Sequence, residues 1–64
     1  MNFKPGNHVR ISVAHQFKGY KLGTIIKITK EGFPYVFIWD EDEITKYAII
    51  DTERGDTIVK ITKN

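Results

Sequence analysis

Apolar residues in this chain recur at every second position far more often than at every third or fourth. Val9, Ile11 and Val13 alternate with Arg10, Ser12 and Ala14, the period of a strand with one buried face. From Thr24 to Lys30 the alternation places Ile26 and Ile28 inward, with Lys27, Thr29 and Ile25 outward. Tyr35 to Asp40 sets Val36 and Ile38 against Tyr35, Phe37 and Trp39. Both faces of that segment are apolar, which predicts a strand that is central or lies under a loop. Ile44 to Ile50 and Thr57 to Thr62 continue the pattern, the latter with Val59 and Ile61 alternating against Ile58 and Lys60. Ten isoleucines and six threonines favour strands. No window of about 11 residues free of Gly and Pro holds a helical stripe as well as it holds alternation.

Turn residues separate these segments. Pro5-Gly6, Gly19, Gly23, Gly32 with Pro34, and Gly55 are the punctuation. Gly23 is expected to let the backbone bend sharply where the second strand leaves the first loop. Asp51-Thr52-Glu53-Arg54-Gly55 suits one turn of 3₁₀ helix, with Gly55 supplying a positive φ where the chain reverses. Five short strands, a longer loop between the first two and one 3₁₀ turn before the last predict an all-β fold. A closed or nearly closed barrel is favoured over a sandwich, because closure hides strand edges. An OB-fold competes, but it usually needs a longer chain and a helix after its third strand.

At 64 residues the chain is a single domain, residues 1–64, near the lower limit for folding without a staple. So small a domain disfavours an enclosed enzyme pocket. The absence of cysteine excludes disulfides, thiolate nucleophiles and thiolate zinc sites. No leader and no membrane span is visible in the sequence, and a cytoplasmic location is expected. The net charge of +2 is small for a strong nucleic-acid binder, but it is unevenly spread. Lys4, Arg10, Lys18, Lys21, Lys27 and Lys30 precede the first carboxylate, whereas Asp40, Glu41, Asp42 and Glu43 form a run.

The run Pro5-Gly6-Asn7-His8-Val9-Arg10-Ile11, with Gly23-Thr24-Ile25-Ile26-Lys27-Ile28, then Val36-Phe37-Ile38-Trp39-Asp40 and Tyr47, resembles the small SH3-like barrels of the KOW, Tudor and Mib/HERC2 type. The resemblance covers roughly residues 3–62 and implies a five-stranded SH3-like barrel. The residues that carry it turn the chain and fill a barrel, so they specify architecture rather than ligand.

Two surfaces are candidates for function. Tyr35, Phe37 and Trp39 share one strand face, joined in the sequence reading by Phe33 and Tyr47. Neighbouring exposed aromatics of this kind mark a protein-binding patch, unless Phe37 and Trp39 fill a second small core. The Tudor resemblance implies an aromatic cage for a methylated side chain, but such a cage draws its walls from several loops. The loop His15-Gln16-Phe17-Lys18-Gly19-Tyr20-Lys21 interleaves rings and cations. With Phe17 and Tyr20 it extends the protein-binding anchor, or those rings cap an open barrel end. With Arg10, Lys18, Tyr20, Lys21 and Lys27 it makes a nucleic-acid surface, on which bases stack on rings and Lys neutralises phosphate.

Other chemistry is weakly represented. Residues 40–43 lack a cation-binding loop pattern and suit a solvated turn. His8 and His15 have no zinc-ligand spacing, and Ser12 has no matched His and Asp, so no catalytic residue, metal site or cofactor is expected. Type II dihydrofolate reductases are small SH3-like barrels too; Ile44-Thr45-Lys46-Tyr47 keeps the Tyr of their fourth-strand run and lacks its Gln-Ile. The expected function is a non-enzymatic interaction module for a protein partner, such as an accessory subunit, an adaptor or a phage-type inhibitor. The alternative is a KOW-like nucleic-acid-binding barrel.

Overall fold

The computed structural model describes residues 3–14, 19–39 and 46–61. Strands β1 (His8–Ser12), β2 (Lys21–Ile28), β3 (Pro34–Ile38), β4 (Tyr47–Ile49) and β5 (Thr57–Lys60) follow in chain order, with a 3₁₀ turn at Thr52–Arg54 before β5. They form one antiparallel sheet of order β4-β3-β2-β1-β5. The all-β expectation and the late 3₁₀ turn therefore hold. Among the described residues the sheet is not closed: β4 and β5 are its two edges and no ladder joins them.

Turn chemistry sets the entry to β1. Gly6 takes φ 94°, which costs an L side chain energy that glycine avoids. The Asn7 N–H then reaches back to the Lys4 carbonyl at 3.1 Å, while the Asn7 Oδ1 accepts the Lys4 N–H at 2.9 Å. At the other end of the chain Asp51 caps the 3₁₀ turn by accepting the Glu53 N–H, and Gly55 closes it at φ 108°.

The fully buried core of the described residues is aliphatic. Val9, Ile11, Val13, Ile25, Val36, Ile38 and Ile50 are fully buried and Ala48 completes the cluster; Phe3, Ile28 and Ile58 pack against it half-buried. Each fully buried side chain contributes about 1.5–3 kcal/mol. No described aromatic ring is fully buried. No helix or second sheet covers these side chains among the described residues.

The phase of β2 corrects the sequence reading. The pairing with β3 runs Ile25↔Val36 and then Lys27↔Tyr35, so Ile26 is the extra residue of a β-bulge. Strict alternation expects Ile25 outside and Ile26 inside. The bulge reverses them: Ile25 is 1% exposed and Ile26 44%, and the bulge brings Ile28 back against the core.

Gly23 is also corrected. It lies inside β2, opposite Val9 and Ile38, not at a bend leading out of the loop. A Cβ there would stand 2.4 Å from the Phe37 carbonyl oxygen and 2.6 Å from Val36 Cγ1. The glycine serves close approach of β2 to β3.

A buried carboxylate ties the edges together. The Asp56 side chain accepts the backbone N–H of Ala14 and of Asp51, each at 2.9 Å, and pairs with the Arg54 guanidinium. Arg54 in turn donates to the Ile49 carbonyl at 2.9 Å. Burial alone would push the Asp56 carboxyl up, but the hydrogen bonds from Arg54 and from the two backbone donors, with the Arg54 charge, hold it below the usual carboxylate range.

Candidate interaction surface

The outward side chains of the five strands form three cross-strand rows. Ile49, Tyr35 and Lys27 make the first. Tyr47, Phe37, Thr24 and His8 make the second, and the Ile61 N–H extends it by donating to the His8 carbonyl at 2.9 Å. The third runs from Trp39, whose N–H donates to the Leu22 carbonyl at 2.9 Å, through Leu22 and Arg10 to Val59.

Phe37, Trp39, Tyr47, Leu22, Ile49, Val59 and Ile61 are all exposed on this face. A domain with this much apolar side chain turned to water carries an exposed patch of the kind that marks an interaction site.

The rings are ordered by one another. Tyr35 and Tyr47 stack at a centroid separation of 5.4 Å and 18° between planes, and Phe37 leans on Tyr47 at 5.4 Å and 58°. The His8 ring meets Trp39 edge-on at 4.9 Å and 89°. The Trp39 indole N–H donates to Thr24 Oγ1 at 2.8 Å, which fixes the indole rotamer and satisfies its polar edge. Such pairs restrict the rotamers of the side chains that make them.

Cations frame the rings. The Arg10 guanidinium lies 4.6 Å from the centroid of Tyr20, and Lys27 Nζ 5.7 Å from that of Tyr35. None of the five strands contains an Asp or a Glu. Neither Arg10 nor Lys27 forms an ion pair with a described residue.

Of the residues expected from the sequence, Tyr35, Phe37 and Trp39 lie on one face, as the alternation implies, and Tyr47 joins them. Phe37 and Trp39 form no second buried cluster among the described residues; Trp39 is 38% exposed. Tyr20 is 60% exposed and lies beside the Arg10 guanidinium. Arg10 and Lys27 reach the same face, and Lys21 borders a shallow depression of about 360 Å³ with Tyr20, Leu22 and Trp39. Phe17, Lys18 and the rest of 15–18 lie outside the described residues, as does the acidic run with 44 and 45.

Sequence reasoning missed the contributions of Leu22, Ile49, Val59 and Ile61. Only the register shows that these isolated aliphatics share one surface. Phe33, expected beside the aromatic patch, instead lines a separate cavity of about 520 Å³ with Phe3, Lys4 and Ile58 at the end of the core.

The described residues hold no group of three or more potential metal ligands and no helix long and apolar enough to cross a membrane. Comparison of the chain with protein families, curated proteins and solved structures returns no match, so what it resembles rests on its own residues and register.

Proposed function

We propose that this protein is a non-enzymatic interaction module of SH3-like barrel design that binds a protein partner through the outer face of its sheet. The strand order and the 3₁₀ turn before β5 support the barrel reading. One observation carries the function: aromatic and aliphatic side chains from β2, β3, β4 and β5, with Trp39 and Ile61 beside them, lie exposed on one face of the sheet around Arg10. Large rings held in fixed orientations are the side chains that dominate protein-protein binding energy.

Affinity capture from the native cells with wild-type protein and with Phe37→Asp tests this. Phe37 is exposed, so the variant keeps its core, and matching melting curves will check that. Proteins held by the wild type and lost from the variant support the reading; identical captures overturn it.

A second reading, nucleic-acid binding, is favoured by the absence of acidic residues from the strands and by the cations set over Tyr20 and Tyr35. Titration of Trp39 fluorescence with single-stranded and duplex oligonucleotides separates the two. A response that weakens steeply with salt selects this alternative.

A further inference from the structure

We infer that the partner presents an acidic, apolar-rich extended segment, whose carboxylates lie over Arg10 and Lys27 while its apolar side chains cover Phe37 and its neighbours. This rests on the reading of the outer face as a protein-binding surface and specifies the chemistry that fits it.

The position of Arg10 carries the argument. It stands in the row between Leu22 and Val59, two exposed aliphatics. Any partner that covers both must also cover the guanidinium. A neutral apolar partner would then strip water from a cation and return nothing, which is costly, whereas a carboxylate restores the lost interactions. Lys27 repeats the situation beside Tyr35 at the other end of the patch.

The same charges disfavour the other occupants. A second copy of this face would bring cations against cations. A nucleic acid would satisfy them but would leave Leu22, Ile49, Val59 and Ile61 without an apolar counterpart.

The register also sets a spacing. Arg10, on β1, belongs to the row of Trp39, and Lys27, on the neighbouring β2, to the row of Tyr35; the rows are four residues apart in the chain and the two cations one strand spacing apart sideways. At ~3.3 Å per residue and ~4.8 Å between strands, the two backbone positions lie ~14 Å apart. An extended segment spans that distance in about four residues. The recognition element is therefore two acidic residues at about i and i+4, with an apolar side chain at i+2 over the row that His8 and Thr24 share with Phe37.

Selection of random peptides about 12 residues long on wild-type protein tests the inference. Labelled copies of the selected peptides are then measured by fluorescence anisotropy against wild type, Arg10→Glu with Lys27→Glu, and Phe37→Asp. The expected result is peptides with paired acids around an apolar residue, whose affinity falls about tenfold or more on charge reversal and recovers when their acids are changed to lysine. Peptides that need Phe37 but are neutral or basic, or are indifferent to the charge reversal, overturn the acidic partner and leave the protein-binding face standing. If no selected peptide depends on Phe37, both readings fall. Enrichment of no peptide, with oligonucleotide binding that requires Arg10 and Lys27, overturns both in favour of nucleic acid.

Discussion

The carboxylate of Asp56 accepts the backbone N–H of Ala14 at 2.9 Å although the two residues stand 42 positions apart in the chain. The same group accepts the N–H of Asp51 and pairs with Arg54, which holds the Ile49 carbonyl. One side chain thus ties the end of β1 to the segment that connects β4 with β5.

Asp56→Ala should lower stability by about 2–4 kcal/mol at neutral pH, because it leaves two backbone donors and a guanidinium short of a partner. The folded-state carboxyl is held below its ordinary value. Its contribution is therefore complete above the unfolded pKa of about 3.9 and is lost as the pH falls through the lower folded value. Urea midpoints measured from neutral pH downward should fall more steeply for the wild type than for Asp56→Asn. Parallel curves would show that the carboxylate is not part of the acid response.

Gly23→Ala should destabilise the sheet by about 1–3 kcal/mol. The added Cβ meets the Phe37 carbonyl oxygen, a backbone atom that can yield only by parting β2 from β3. Thermal melting of the variant should show a lowered midpoint. An unchanged midpoint would refute the close approach.

Ile25 and Ile26 offer a controlled comparison, since they are identical neighbours of which one is buried in the core and the other is the exposed, bulged residue. Ile25→Ala should cost about 2–5 kcal/mol through lost burial and a cavity. Ile26→Ala should change stability by about 0.5 kcal/mol or less. Chemical denaturation of both variants gives the result, and reversed magnitudes would restore the strict alternation of the sequence reading.

Much of this fold is legible in the sequence because β1 and β3 alternate without interruption. Val9 and Ile11, and Val36 and Ile38, are buried as period two requires. Asp51 and Gly55 likewise announce the 3₁₀ turn by their chemistry. In β2, Ile25-Ile26-Lys27-Ile28 fits either phase by composition, and a single bulged residue decides between them. Asp56 resembles any turn carboxylate until the chain brings Ala14 to it. The candidate surface divides in the same way. Tyr35 and Phe37 on β3, with Trp39 just past its end, are visible as a local pattern, whereas Leu22, Ile49, Val59 and Ile61 become neighbours only through pairing between distant segments.

The aliphatic interior has a practical consequence for spectroscopy. With Trp39 on the outer face, held by Thr24 and touched by His8, and with the described tyrosines outside the fully buried core, the chromophores sense what settles on the sheet rather than the packing beneath it. Intrinsic emission should therefore respond to a docking ligand while the far-ultraviolet signal stays constant. During unfolding it should track loss of the Thr24 and His8 neighbours more closely than loss of the interior.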